Sequence, residues 1–203
     1  MRYLVTIFIF LVSLKSYADY EPTPLPELVI DSELIIHGKI IDIDSETFTI
    51  DIIEKIKGDF NNQIIQIQKF EDWECANRLP KYQIGQEELI FLTQHKVTKE
   101  WIIMGAGIEG ELFIQNDSVI YEDIYYDSKS GCSEINYSGY NVCGWKFSLQ
   151  EFKTDIKLYL KDFPEILTTY KKSFKITNLR KENRAYTRMM YESFDYIALR
   201  RNE

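Results

Sequence analysis

The chain has 203 residues, of which 45% are hydrophobic, and its formal net charge is −8 at pH 7. This length suits one domain with an appendage, and the apolar content is enough to bury a core. The negative charge argues against nucleic acid and anionic lipid as partners, because both would repel an acidic body.

Residues 1–18 have the three parts of a secretory signal peptide. A positive residue, Arg2, precedes an apolar run of 11 residues, and Ser16-Tyr17-Ala18 offers small residues for cleavage. The run is about half as long as a helix that crosses a bilayer. We therefore expect an exported chain, periplasmic or extracellular, that begins near Asp19 and has no transmembrane segment after cleavage.

Residues 19–26, DYEPTPLP, carry three prolines among eight residues. Proline lacks a backbone donor and disfavours a helical residue before it. This segment is therefore predicted to be an extended, Pro-rich arm.

Alternating apolar and polar residues then predict a series of short strands. Polar turns at 45–46 and 57–59 separate the first three, which should form an antiparallel meander. Short strands at such spacing favour a small barrel or sandwich. The predicted strands are 33–44, 47–56, 64–70, 88–93, 101–104, 110–115 and 119–126.

The pattern becomes helical after Cys143. Ser148 and Glu151 have the spacing of a capping box, and apolar residues then recur at helical intervals. This predicts a helix from about Leu149 to Lys161 and a second helical segment from Pro164. We expect residues 27–163 to form a mainly β domain closed by the first helix. Residues 164–203 should form a helical, basic tail, since nine Lys or Arg stand against four Asp or Glu from Lys171 onward.

One sequence motif matches a cofactor fingerprint without its context. Residues 105–110, GAGIEG, fit the dinucleotide pattern G-x-G-x-x-G, but the residues that follow read as a strand, not as the helix that would meet a pyrophosphate. A bend or bulge between strands is the better interpretation. We predict no cofactor.

The sequence also lacks patterns typical of catalytic and metal sites. The two histidines, His37 and His95, do not have zinc-ligand spacing relative to each other or to a cysteine. We therefore predict neither a metal site nor catalytic residues, with one alternative left open. Glu71, Asp72 and Glu74 could cluster around a cation or serve carboxylate chemistry.

The three cysteines, Cys75, Cys132 and Cys143, are compatible with one disulfide and one remaining thiol in an oxidising compartment. Cys132 and Cys143 could close a short loop. Cys75 and Cys143 could instead join a mid-domain loop to the start of the capped helix. The sequence arithmetic leaves both pairings open.

Residues 121–145 combine five tyrosines and a tryptophan with Ser, Gly, Asn and Asp. Aromatic rings with polar tips in a loop can stack on sugars or bind a protein, although they can also cover the end of a barrel. The candidate partner-binding residues are Tyr125, Tyr126, Tyr137, Tyr140 and Trp145.

The order of several short motifs resembles that of tissue-inhibitor-of-metalloproteinase-like (netrin-like) OB-fold proteins. The motifs are ELIIHGKI at 33–40, IKGD at 56–59, Cys75 followed by YQIGQEELIF at 82–91, and Cys143 before a helix. The resemblance implies a five-stranded barrel closed by a helix, and it favours pairing Cys75 with Cys143. The animal inhibitors chelate zinc through an N-terminal cysteine, whereas this chain has no Cys before Cys75, so that chemistry is not implied here.

These observations favour an exported, non-catalytic binding module. An OB-like barrel would present its loops to a protein or a glycan. One alternative is a protease inhibitor that acts through the arm at 19–26 without zinc chelation. Another, from a different class, is a carboxylate-dependent hydrolase around Asp72 and Glu74.

Overall fold

The computed structural model describes residues 22–73, 76–105, 108–122, 133–170 and 185–199. The helices are α1 (Leu25–Asp31), α2 (Leu149–Tyr170) and α3 (Ala185–Leu199). The strands are β1 (Leu34–Ile43), β2 (Thr47–Lys57), β3 (Ile64–Gln68), β4 (Glu87–Gln94), β5 (Trp101–Ile103), β6 (Glu111–Gln115), β7 (Ser118–Glu122), β8 (Ser133–Tyr137) and β9 (Tyr140–Ser148).

The first five strands close into a barrel. β1 pairs with β2 along one edge and with β4 along the other, and β2–β3 and β4–β5 are further antiparallel pairs. One parallel pair, Ile67 of β3 with Trp101 of β5, completes the ring. The prediction of a mainly β, OB-like barrel followed by a helix and a helical tail is confirmed.

The barrel interior is entirely apolar, because the alternating residues of each strand place one set of side chains inside. On β2, Phe48 and Ile50 are buried while Thr49 between them is partly exposed. The interior is formed by Leu34, Ile36, Ile40, Phe48, Ile50, Ile52, Ile65, Ile67, Ile90 and Leu92.

A second core lies on the outer face of β1 and β4, which are buried on both sides. Ile35 and Phe91 point away from the barrel interior and pack against the helices. The helical contribution comes from Leu25, Leu28 and Val29 of α1, Phe152, Ile156 and Tyr159 of α2, and Ala185, Met189 and Met190 of α3. The helices therefore cover one outer side of the barrel.

The sheet continues beyond the barrel. Along the free edge of β4, β5 pairs with the end of the strand and β6 pairs with its beginning. The described part of the GAGIEG motif, Gly105 and residues 108–110, lies between β5 and β6, and a strand follows it, as predicted. A Cβ on Gly110 would lie 1.9 Å from the carbonyl oxygen of Met104, so this close approach requires glycine. The extension then runs in the order β6–β7–β9–β8.

Two predicted elements differ from the structure near prolines. Leu25 and Pro26, assigned to the extended arm, begin α1, since proline is tolerated in a first helical turn where no intrahelical donor is needed. The predicted second helical segment at Pro164 is instead the continuation of α2, which runs unbroken to Tyr170. Buried Ile166 follows the proline and keeps this part of α2 against the second core.

The described part of the C-terminal tail packs against the body. The Glu192 carboxylate accepts hydrogen bonds from the backbone N–H of Leu25 at 3.1 Å and from the Tyr121 hydroxyl at 3.4 Å. Tyr159 and Ser193 join α2 to α3 at 2.5 Å. No helix among the described residues is long and apolar enough to span a membrane.

Candidate functional site

A groove of about 550 Å³ opens where the barrel meets the sheet extension. Three chain segments form its walls: the loop before β4, the β6–β7 turn and the β8–β9 turn. We refer to it as the junction groove. It is lined by Pro80, Gln83, Ile84, Gly85, Gln86, Glu87, Ile114, Asn116, Asp117, Tyr137 and Ser138.

Two walls of the junction groove are tight hairpin turns. Asn116 and Asp117 have φ values of 51° and 55°, and Ser138 and Gly139 have φ values of 49° and 87°. Two consecutive residues at positive φ define the turn whose twist matches that of the flanking strands. The N–H of Leu149 also donates to the carbonyl of Asp117 at 2.9 Å. Both turns therefore have a defined backbone conformation, and the β6–β7 turn is also tied to the start of α2.

The third wall is attached to the barrel by main-chain hydrogen bonds. Gly85 donates to the carbonyl of Ile40 at 2.7 Å, and Ile40 donates to the carbonyl of Gln86 at 2.9 Å. Gly85 itself has a φ of 90°, which suits glycine. The groove is thus bounded by three turns of defined geometry.

A buried ionic cluster lies beneath this wall. Arg78 is 1% exposed, and its Nε donates to Glu111 at 3.0 Å while its Nη2 pairs with Glu88. Its Nη1 donates to the carbonyl of Pro80, which lines the groove. The Tyr82 hydroxyl donates to Glu111 at 3.1 Å. We call Arg78, Tyr82, Glu88 and Glu111 the ionic cluster.

The ionic cluster contains two carboxyl groups and one guanidinium. Burial, followed by the nearby Glu111, raises the pKa of Glu88 well above its usual range, and burial also raises the pKa of Glu111. Burial by itself would lower the pKa of Arg78, but the two carboxylates raise it, so the guanidinium stays charged. The cluster therefore holds a carboxyl proton more tightly than a solvated glutamate does, and one retained proton would balance its charge.

Aromatic rings separate the ionic cluster from the junction groove. The Arg78 guanidinium lies 3.5 Å from the Tyr82 ring centroid and 5.1 Å from that of Phe113. Tyr137 stacks on Phe113 with centroids 4.8 Å apart and lines the groove. Burial raises the pKa of Tyr137, so its hydroxyl is neutral at neutral pH. The rings thus form a wall between solvent and the buried carboxyl groups.

Glu87 connects the groove with a buried histidine. Its Oε2 lies 3.7 Å from Nε2 of His37, whose side chain is 6% exposed. Burial and the positive charge of Lys153 lower the pKa of His37, despite the opposite effect of Glu87. The imidazole of His37 is therefore neutral at neutral pH and places no positive charge beside Glu87, which lies at the rim of the groove.

The three predicted partner-binding residues that the structure describes differ in their exposure and contacts. Tyr137 is 6% exposed and belongs to a small apolar cluster, whereas Tyr140 is 40% exposed. Trp145 is half-buried, and its ring centroid lies 5.9 Å from that of Tyr121. The guanidinium carbon of Arg188 lies 3.9 Å from the Trp145 ring centroid. Tyr125 and Tyr126 lie outside the described residues. The predicted loop at 121–145 is corrected in its second half, since β8 and β9 form a hairpin there.

The remaining sequence candidates fall into two groups. Asp72 pairs with Lys81 and accepts the backbone N–H of Arg78 at 2.8 Å, and the Lys81 hydrogen bond lowers its pKa. It therefore helps to position the loop that carries Arg78. Glu74 and two of the cysteines, Cys75 and Cys132, lie outside the described residues, so the disulfide stays a prediction.

Sequence reasoning missed the junction groove and the ionic cluster. Asn116-Asp117 and Ser138-Gly139 are turn signals that could have marked two of its walls. No comparable signal marks the cluster, because Glu88 and Glu111 read as ordinary polar strand residues. Only their placement on adjacent strands opposite Arg78 makes them a unit.

Comparisons with known proteins give no family. No known protein family matches the chain, and no curated protein matches it. Among solved structures, it is similar to one described as a candidate exosome complex RNA-binding protein, at 8% identity and a TM-score of 0.28. That similarity covers 90% of this chain and 98% of the other. At this TM-score it supports no conclusion about function.

Proposed function

We propose that the chain is an exported, non-catalytic binding module whose junction groove accepts a segment of a partner protein. The observation that carries this proposal is an open groove of about 550 Å³ bounded by three backbone-fixed turns. Its volume lies in the range of about 300–1,000 Å³ that is typical of binding sites in proteins. Export rests on the signal peptide predicted from residues 1–18.

The lining of the groove supports binding more than catalysis. Two carboxyl groups with raised pKa values, Glu88 and Glu111, are at most 1% exposed and do not belong to the groove lining. A substrate in the groove would not touch them. The polar groups that line the groove are amides, hydroxyls and carboxylates, which are suited to hydrogen bonding with a bound chain.

The alternative of a protease inhibitor gains no support from the described residues of the arm. Pro22, Leu25 and Pro26 are all buried against the body. The N–H of Leu25 is also held by Glu192. An arm that enters a protease cleft would have to leave these contacts, so the groove is the stronger candidate.

The proposal is tested by comparing two exposed aliphatic residues. Ile84 is 68% exposed and lines the groove, whereas Val97 is 84% exposed and lies in the β4–β5 turn. The wild-type chain is immobilised and used to capture material from the native envelope fraction, and the captured component is purified and titrated. Ile84→Ser should weaken its binding about tenfold, while Val97→Ser should not, because Ile84 offers apolar contact area in the groove and Val97 lies outside its lining.

The nature of the captured component decides between the two partner classes. Binding that is lost after protease treatment supports a protein segment. Binding that survives protease but is lost after periodate oxidation would identify a glycan and overturn the protein proposal. Equal affinity of the Ile84→Ser and wild-type chains would remove the groove as the binding site.

A further inference from the structure

We infer that the junction groove recognises a lysine- or arginine-bearing segment of its partner, with Glu87 and Asp117 binding the cationic head group. This inference rests on the proposed function and names the chemistry of the same site. It is carried by the charges of the groove walls, the apolar residues between them and the neutral state of the groups behind them.

The lining of the groove carries negative charge from two different walls. Glu87 is the first residue of β4, and Asp117 lies in the β6–β7 turn, which forms a different wall of the groove. The other lining residues are uncharged, so no cation in the lining competes for the two carboxylates. A cationic side chain in the groove would be attracted to both carboxylates, and a concave site strengthens such an attraction.

The nearest cations outside the lining have other positions. Lys39 pairs in register with Glu87 across β1 and β4, but it makes no ion pair within 4 Å among the described residues. Its Cε lies 3.7 Å from the position of a Cβ on Gly85, so this exposed lysine lies next to the lining without belonging to it. Lys81 is paired with Asp72. Among the described residues, neither lysine forms an ion pair with Glu87 or Asp117.

Apolar residues lie beside the carboxylates. Pro80, Ile84 and Ile114 contribute hydrocarbon surface to the lining, and Ile84 is 68% exposed. Lysine and arginine bury their methylene stems against such surface while the charged head stays at a polar partner. A short acidic or neutral side chain would leave either the apolar surface or the carboxylates without a counterpart.

The groups behind the walls leave this charge in place. The ionic cluster balances itself when it retains one proton, so it adds no positive charge below the groove. Neutral His37 likewise does not cancel Glu87. The chain as a whole is acidic, with a net charge of −8, which favours the approach of a cationic partner.

The test uses acetylated pentalysine amide as the probe, with pentaglutamate and maltopentaose as comparison ligands. Binding is measured by backbone amide NMR titration and by calorimetry on the full chain. The variant is Glu87→Gln with Asp117→Asn, because both changes keep side-chain size and Asn tolerates the positive φ of position 117. The matched control is Glu46→Gln with Asp59→Asn, two exposed carboxylates outside the groove lining.

The wild-type chain should bind pentalysine with shifts at the groove turns, and the double variant should bind about tenfold more weakly. The control pair should stay within about twofold of wild type, since it changes the net charge equally without touching the groove. If the control variant lost as much affinity for pentalysine as the groove variant, the binding would depend on net charge alone. That result would overturn the inference. Preferred binding of maltopentaose or pentaglutamate would also overturn it.

The same variants separate this inference from the proposed function. Capture of a protein that depends on Ile84 but not on Glu87 and Asp117 would leave the groove as the site and remove the cationic partner. If capture depended on none of these three residues, both the groove as the binding site and the cationic partner would be ruled out. Thermal unfolding of each variant, compared with wild type, confirms that the fold is retained.

Discussion

The barrel interior and the ionic cluster fill neighbouring spaces with opposite chemistry. β4 contributes to both from one face, since Leu92 and Ile90 enter the barrel interior and Glu88, two residues earlier, enters the cluster. The change occurs where β6 replaces β5 as the neighbour of β4. At that point the barrel opens into the sheet extension, and the loop that carries Arg78 covers the gap.

The two regions differ in what they demand of their residues. An apolar interior requires suitable volume and tolerates exchange among aliphatic residues. The ionic cluster requires one specific cation, because two buried carboxyl groups without Arg78 would lose their partner. The cluster therefore determines where the loop before β4 lies, and with it one wall of the junction groove. The following predictions test this difference, from the largest expected effect to the smallest.

Replacing Arg78 with Met should destabilise the fold by about 3–5 kcal/mol, because it leaves Glu88 and Glu111 buried without their cation. Urea unfolding followed by tryptophan fluorescence measures the change. The triple variant Arg78→Met, Glu88→Leu, Glu111→Leu serves as the control and should recover most of the loss, since it removes every charge together. A single variant within about 1 kcal/mol of wild type would contradict a structural role for the cluster.

The ionic cluster should also make stability depend on pH. The pKa of Glu88 is raised by burial and by Glu111, so the folded state holds a proton that the unfolded state releases above about pH 4.5. The contribution of this proton to the free energy of unfolding is complete below that pH. It is lost as the pH rises toward the folded-state pKa of Glu88. Glu88→Gln imitates the protonated group, so its stability relative to wild type should increase from pH 5 to pH 9. If the difference in unfolding free energy between Glu88→Gln and wild type stayed constant from pH 5 to pH 9, the raised pKa of Glu88 would be contradicted.

The barrel interior should respond less to a single change. Ile50→Val removes one methyl-sized group from the fully buried interior and should cost about 0.5–1.5 kcal/mol. Unlike the cluster variants, it should show no dependence on pH, because no titratable group takes part. Unfolding curves at pH 5 and pH 9 check both statements.

The smallest effect on stability is expected on the solvent-exposed face of β2, the strand that also carries Ile50. Ile53 lies on β2 with 53% of its surface exposed, so Ile53→Thr should change the unfolding free energy by at most about 0.5 kcal/mol. A loss comparable to that of Ile50→Val would indicate that this face is covered in solution. Chemical denaturation of both variants under one set of conditions makes the comparison direct.

Much of the barrel could be predicted because its signal is local. The alternation on β2 and the polar turns around it determine which side chains face inward, and the strand bounds agree to within a few residues. The run ELIF at 88–91 identified β4 but not its two buried faces, since burial on the outer side depends on helices that arrive later in the chain.

The errors also have local causes. Pro26 was assigned to an extended arm and Pro164 to the start of a separate helical segment, although the first lies in the opening turn of α1 and the second lies inside α2, followed by buried Ile166. The hairpin of β8 and β9 was interpreted as loop, because its Ser, Asn, Gly and Tyr residues are typical of both. Its pairing with β7 supplies the missing hydrogen bonds.

The sequence alone determined the alternation that forms the barrel, the helix after it and the negative charge of the chain. Only the tertiary structure decided that Arg78 meets Glu88 and Glu111, and that Glu87 and Asp117 stand on two walls of one groove. The physical reason is that periodicity acts between neighbours in sequence. Ion pairs and groove walls depend instead on how distant segments pack, and no local pattern records that placement.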